Sequence, residues 1–322
     1  MDSKRVTVLR GGPSAENDVS MRTGACVISA LRPKVASIAD IVITKQGEWL
    51  LHGKVREPEH ILRGTDVVFL ALHGEYGEDG DVQKYLQRFN IPFTGSRAFA
   101  SAVAFNKVTT KKSLQNLELV LPQHVGVASE SLADVASIAS NIASSFGPEY
   151  IIKPVASGSS LGITLVKAGQ SLETALRMAL QSHSRVMVEE YIRGREATCA
   201  VLENFRNEPV YAFPIIEIIP PAEANFFAAE VKYSGATQEI CPGNFSFKER
   251  CLVQDQAMLV HTALGLSQYS RSDFILRDGK AYFLEVNTLP GLTDKSLYPK
   301  AAAAAGLYFP DLVYFLIETA RS

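Results

Sequence analysis

Apolar residues recur along this chain with two different periods. Short unbroken runs at residues 6–9 and 66–72 predict buried strands. Residues 16–31 carry Val19, Ala25, Ile28 and Leu31, and residues 79–89 carry Val82, Tyr85, Leu86 and Phe89, at the spacing of one helix face. This alternation predicts an α/β unit with a parallel sheet covered by helices. A boundary is expected around residues 98–107. Helices are predicted beyond it at 108–116, 131–146 and 172–183, and strands at 150–153, 163–166, 185–189 and 195–203. In the last third, strands are expected at 210–218, 269–276 and 281–286, and helices at 249–264, 300–305 and 311–320. Residues 219–247 show no regular pattern, and a stretch that long is usually a lid or a disordered segment.

Length and composition narrow the class. At 322 residues the chain exceeds one typical domain. With 47% hydrophobic and 20% charged residues it is neither a disordered tail nor a membrane protein. A net charge of -2 excludes a global basic field, so neither nucleic acid nor a membrane is an expected partner. The opening apolar run is too short for a secretory signal and reads as a first strand. Cys26, Cys199, Cys241 and Cys251 have no zinc or C-x-x-C spacing and read as free thiols in a reducing cytoplasm.

Several clusters carry candidate chemistry. Arg271 and Asp273 share one strand face, as do Glu285 and Asn287 on the next strand, with Asp278-Gly279 turning between them. A three-residue loop would put all four on one side, and a two-residue loop would split them. The three-residue register is the expectation because it assembles oxygen donors suited to Mg²⁺ beside an arginine. A solvated face of an edge hairpin is the equal alternative. Lys153 ends a strand before Ala156-Ser157-Gly158-Ser159-Ser160, a small loop able to cover phosphate but without the order of a Walker A motif. Glu189 and Glu196 flank a turn, where they could receive adenine and ribose or be two surface acids. Gly11-Gly12-Pro13-Ser14-Ala15-Glu16 and His73-Gly74-Glu75-Tyr76-Gly77-Glu78-Asp79-Gly80 each follow a strand, the usual ligand position in open α/β sheets.

Taken in order, these segments resemble the D-alanine–D-alanine ligase family of ATP-grasp enzymes. The resemblance runs from Val6 to about Ala320. It includes Lys153-Pro154 with Gly158-Ser159-Ser160-x-Gly162, Glu189 with Gly194-x-Glu196, Lys232-Tyr233 and Arg271-x-Asp273-Phe274. Its most specific segment begins Glu285-Val286-Asn287-Thr288-Leu289-Pro290-Gly291 and continues through Ser296-Leu297-x-Pro299. The resemblance implies an ATP-grasp fold with an N-terminal Rossmann-like (preATP-grasp) domain. The expected units are 1–97, 98–184 and 185–322, with a lid near 219–247.

It also implies roles. Lys107, Lys153, Ser160 and Lys232 are expected on ATP phosphates. Glu189, Glu196, Tyr191 and Ile192 are expected around adenine and ribose, and Asp273, Glu285 and Asn287 on two Mg²⁺, with Mn²⁺ as a substitute. Arg271 and the Gly291 N–H are expected at the oxyanion. Glu16 is expected on the first D-alanine's ammonium with His73 nearby, and Ser296 and Leu297 on the second D-alanine's carboxylate. Ser159 and Tyr233 are expected to link loop and lid and to orient Glu16. The implied reaction is ATP-dependent joining of two D-alanines through an acyl phosphate, for peptidoglycan precursors, by a cytoplasmic homodimer. The sequence departs from the family at Phe226-Phe227-Ala228-Ala229-Glu230-Val231, where relatives often carry a Tyr-Asp-Tyr-like run. It also departs at Arg10, usually apolar, and at Gln268-Tyr269-Ser270, where a glycine is more common.

Overall fold

A computed structural model of the protein describes residues 2–158, 162–221 and 237–322. The first sheet is built on β1 (Asp2–Gly11), whose Val6, Val8 and Leu9 are buried. It pairs in parallel with β2 (Val35–Ile43) on one side and β5 (Val67–Leu70) on the other. The parallel expectation holds for these three strands. The sheet then continues antiparallel through β3 (Trp49–Leu51) and β4 (Lys54–Val55). Helices α1 (Asn17–Leu31), α2 (Pro58–Leu62) and α3 (Asp81–Gln87) complete the first third.

The expected boundary region is itself helical, as α4 (Ala98–Phe105) and α5 (Lys107–Leu114). Asn106 caps α5 by accepting from the Thr109 N–H at 3.0 Å, so the helix starts at Lys107. Lys111 then follows one turn later on the same face.

The second sheet has the order β6 (His124–Ala128), β9 (Arg185–Glu190), β7 (Tyr150–Pro154), β8 (Thr164–Val166), all antiparallel. A 3₁₀ turn at Ser129–Asp134, α6 (Val135–Ser145) and α7 (Leu172–Ser182) pack on it through Val135, Ile142, Leu176 and Leu180.

The third sheet runs β13 (Gln238–Ile240), β12 (Ile216–Ile219), β10 (Arg195–Phe205), β14 (Tyr269–Arg277), β15 (Lys280–Asn287), with β11 (Glu208–Ala212) also on β10. The strand expected at 210–218 is therefore two, and β13 lies inside the stretch expected to be irregular. Helix α8 (Phe247–Ala263) opens with a capping box between Ser246 and Glu249. Ala100, Ala104 and Leu114 join the core of this third sheet.

The hairpin corrects one expectation. Arg277 pairs with Lys280, so the loop is the two residues Asp278 and Gly279, with φ of 50° and 73°. The register shifts between Asp273 and Phe274, and Leu284 is the extra residue of a β-bulge. The bulge restores what the short loop would have lost, because Asp273 faces Glu285 and Arg271 faces Asn287.

The chain ends with α9 (Leu297–Ala304) and α10 (Phe309–Glu318). Leu312, Val313, Leu316 and Ile317 of α10 are buried in the same core as β1 and β5. Lys34 pairs with Asp311 at 2.8 Å, and the Phe93 N–H donates to the Arg321 carbonyl at 3.1 Å.

Candidate active site

An open cleft of about 880 Å³ lies between the second and third sheets. Its lining includes Lys153, Glu189, Tyr191, Ile192, Glu196, Arg271, Asp273, Glu285 and Leu297. Three separate stretches of sequence thus meet on one space.

The third-sheet wall is acidic but not unpaired. Arg271 is buried and donates to both oxygens of Asp273, through Nε and Nη2, each at 3.0 Å. Thr198 on β10, opposite Asp273 in the ladder, donates to Asp273 Oδ1 at 2.5 Å. Asn287 Nδ2 lies 3.4 Å from Asp273 Oδ2. Burial works against the Arg271 charge, and the Asp273 carboxylate outweighs it and holds the guanidinium above its ordinary value. Glu285 is met by Lys107 at 3.3 Å, and Lys107 also donates to the Ser157 carbonyl at 2.7 Å.

Asp273, Glu285 and Asn287 offer only oxygen donors for a hard cation, and two of them are carboxylates. Among the described residues no group of three or more His, Cys, Asp or Glu could hold a metal. The two carboxylates and the amide oxygen fit Mg²⁺, which takes one or two carboxylates and completes its shell with phosphate and water.

The opposite wall holds a buried ionic cluster. Glu189 forms ion pairs with Lys111, 2.7 Å from Oε1, and with Lys153 at Oε2. Burial pushes the Glu189 carboxyl up, but the two ammonium charges outweigh it and hold it below the usual range. Tyr191 is anchored by its N–H on the Glu149 carbonyl at 3.1 Å, and Arg193 lies 5.5 Å from its ring centre. Arg193 in turn pairs with Glu149 at 2.6 Å.

The two glycine-bearing loops of the first domain meet at Glu16. A Cβ on Gly74 would overlap the Ser14 hydroxyl and lie 2.8 Å from Glu16 Oε2; a Cβ on Gly158 would collide with the same carboxylate. Glu16 therefore touches both its own domain's second loop and the loop after Lys153. His73 is buried, with Nδ1 3.0 Å from the Leu289 carbonyl and Nε2 2.8 Å from the Thr23 hydroxyl. A carbonyl can only accept, so Nδ1 carries the proton and Thr23 donates to Nε2. Burial lowers the His73 pKa, against the opposing pull of the Glu16 charge and the Leu289 carbonyl, and so favours the neutral ring. Glu78 accepts from the Gly74 N–H at 2.9 Å. Burial first, then the Glu16 charge, raises its carboxyl to about 8.

Comparison with known proteins matches the chain along its length. Residues 113–318 match the family model described as D-ala D-ala ligase C-terminus, and residues 53–96 match D-ala D-ala ligase N-terminus. The D-alanine–D-alanine ligase of Desulforudis audaxviator is 37% identical over 99% of both chains. The chain belongs to the D-alanine–D-alanine ligase family. The fold agrees: the Bacillus anthracis D-alanine–D-alanine ligase complexed with ATP superposes with a TM-score of 0.78 at 30% identity, over 98% of this chain and 97% of that one. The VanG D-Ala:D-Ser ligase from Enterococcus faecalis gives 0.84 at 29% identity over 99% of both. The fold is accordingly ATP-grasp.

Against this family pattern, the residues expected from sequence fall in three places. The cleft gathers Lys153, Glu189, Tyr191, Ile192, Glu196, Arg271, Asp273, Glu285 and Leu297, with Lys107 and Asn287 in contact with its acidic wall. Glu16 and His73 lie on the first-domain side, with Gly291 and Ser296 on the turn leading into α9. A Cβ on Gly291 would lie 2.9 Å from Ser296 Oγ, and that oxygen accepts from the Thr293 N–H at 3.0 Å. Ser159, Ser160, Lys232 and Tyr233 lie outside the described residues, as does the altered segment at residues 226–231. Sequence reasoning missed Lys111, Thr198 and a role for Glu78. The spacing of Lys107 and Lys111, one helical turn apart, was the available signal for the first.

Arg10 and Gln268, the two other departures, are both satisfied locally. Arg10 pairs with Asp40 at 2.5 Å and donates to the Met21 carbonyl at 3.2 Å. Gln268 is buried, accepts from the Gly95 N–H at 2.7 Å and donates to the Leu316 carbonyl at 2.6 Å.

Proposed function

We infer that this protein joins two D-alanines into D-alanyl-D-alanine at the expense of ATP, through a D-alanyl phosphate, for peptidoglycan precursor synthesis. The observation that carries the reading is the convergence of Lys107, Lys153, Glu189, Arg271, Asp273 and Glu285 on one cleft, in a chain matched to this ligase family along its length.

A carboxylate is a poor electrophile, so the first D-alanine must be activated by phosphoryl transfer before an amine can attack it. The donor and acceptor are both anionic, and positive charge must separate them from each other's repulsion. Lys107 and Lys153, with Lys232 and Ser160, bind the ATP phosphates. Glu189, Glu196, Tyr191 and Ile192 line the adenine and ribose side. Asp273, Glu285 and Asn287 hold two Mg²⁺ or Mn²⁺, whose charge offsets that of the phosphates. Glu16 binds the first D-alanine's ammonium. Neutral His73 lies beside it and adds no positive charge that would compete with that ammonium for Glu16. Arg271 is held rigid by Asp273 and faces the developing oxyanion together with the Gly291 N–H. Ser296 and Leu297 bind the second D-alanine's carboxylate, and the roles expected of Ser159 and Tyr233 fall outside the described residues.

The same reading takes the chain as a homodimer working in the cytoplasm. Among the described residues no single helix is long and apolar enough to cross a membrane. It also takes 1–97, 98–184 and 185–322 as the three functional units, supported by three separate sheets.

The deciding assay is phosphate release with ATP and Mg²⁺, with and without D-alanine, the product identified by mass. D-alanine-dependent phosphate with a dipeptide product is expected; ATP hydrolysis indifferent to D-alanine would refute the substrate. The likeness to a D-Ala:D-Ser ligase favours D-serine as a second reading for the acceptor. With D-alanine fixed as donor, an acceptor panel in which D-alanine is best removes it.

A further inference from the structure

Lys111 takes no part in the reading above, yet it is completely buried, on α5 behind the cleft wall. Its Nζ lies 2.7 Å from Glu189 Oε1 and 3.0 Å from the Phe283 carbonyl, and 5.7 Å from the Phe283 ring centre. It does not line the cleft. The other Glu189 oxygen is taken by Lys153, which does. One buried carboxylate therefore bridges two ammonium groups, one facing the nucleotide space and one shut away from it.

This arrangement sets a condition on nucleotide binding. Lys153 is held by Glu189, and to meet a phosphate it must loosen that contact. Leaving a buried carboxylate without a partner is strongly unfavourable. With Lys111 in place, the carboxylate keeps one full counter-charge, 2.7 Å away, after Lys153 turns away. Without Lys111, the whole burden falls on Lys153, which would be trapped on Glu189.

We propose that Lys111 is a positioning residue that keeps Glu189 charge-compensated from behind, so that Lys153 is released to the ATP phosphates. Lys111 thereby sets ATP affinity without touching ATP. The proposal rests on the reading of the cleft as an ATP site.

The test is calorimetric titration of ATP with Mg²⁺, without D-alanine, into the full-length wild type, Lys111→Met, Glu189→Gln and the double variant. Lys111→Met should weaken ATP binding by about 10- to 100-fold. Glu189→Gln removes the trap along with the adenine contact. The double variant should then bind ATP within about threefold of Glu189→Gln alone. If Lys111 contacted ATP or merely filled space, its loss would cost as much in the Glu189→Gln background as in the wild type, and that result overturns the proposal. Should Lys111→Met fail to fold, a folded double variant with the affinity of Glu189→Gln supports the proposal, because removing the carboxylate has removed the need for the lysine. A double variant that fails to fold, or binds more weakly than Glu189→Gln, overturns it. A wild type that does not bind ATP overturns the functional reading and this inference together, whereas a binding wild type with the wrong variant pattern overturns this inference alone.

Discussion

Replacing Asp273 by Asn tests how the acidic wall is held together. Asn keeps the shape of the side chain and an oxygen for Thr198, but it removes the charge that Arg271 grips through two bonds of 3.0 Å. Arg271 has 10% and Asp273 13% of the side chain exposed, so solvent screens the pair weakly. Breaking a buried pair by neutralising one partner costs about 3–5 kcal/mol. Glu285 also attracts Arg271, which places the cost at the low end, about 3 kcal/mol. An unfolding entropy of about 2.1 cal/mol/K per residue gives roughly 0.7 kcal/mol/K for this chain, and hence a drop of about 4 °C in melting temperature. Differential scanning calorimetry of both proteins without nucleotide or metal measures this directly. The double variant with Arg271→Met should recover most of the loss, since no charge is then left unpaired. A single variant that melts within 1 °C of wild type, roughly 0.7 kcal/mol, would show that the guanidinium is solvated, and the argument for a rigid oxyanion donor would fall with it.

Arg271→Lys keeps the charge but loses the planar fork that Asp273 holds, so turnover should fall by about 10²-fold with the ATP KM little changed; unchanged turnover in steady-state assays would remove Arg271 from the chemistry. Gly158→Ala places a methyl group against the Glu16 carboxylate, and the KM for the first D-alanine should rise by about tenfold while ATP binding stays level. A parallel rise in both constants would mean that the loop as a whole had been lost. Glu78 has a folded-state pKa of about 8 against an ordinary value of 4.5, so its contribution to stability is fully present below about pH 4.5 and is lost as pH rises toward 8. Glu78→Gln cannot ionise, so its melting temperature should gain on the wild type between pH 5.5 and pH 8.5, and a constant gap between the two would refute the assignment.

Much of the site was legible because its residues fall at strand ends in a recognisable order. Asp273 and Glu285 are expected on one face because that register assembles oxygen donors, but the three-residue loop assumed for it is not the one formed. The turn is the short one that Asp278-Gly279 favours, and the bulge at Leu284 supplies the missing residue. Nothing in the local pattern marks a bulge, because Phe283, Leu284 and Glu285 read as ordinary strand. Strand β2 escaped because Ser37 and Asp40 interrupt its apolar run, while only Val35, Ile41 and Ile43 are fully buried. Helix α4, with apolar or small residues at all eight positions, has no amphipathic period to detect. Lys111 reads as one of two adjacent lysines, Lys111-Lys112, on a polar helix. Only contacts with Glu189 and Phe283, far along the chain, make it a buried charge. Long-range pairing of this kind is carried by the fold and not by any local signal.

The return of α10 to the first core has a consequence for how the protein is made. Strands β1 and β5 emerge from the ribosome well before Leu312, Val313, Leu316 and Ile317, which finish their core. Even Phe93 waits for the Arg321 carbonyl to accept its N–H. Domains usually fold in the order in which they emerge. Here the first sheet to be translated waits for residues far down the chain, and its apolar face stays unfinished until they emerge. A nascent chain arrested before residue 312 would lack these residues, and the apolar face they cover would stay open to chaperones and proteases.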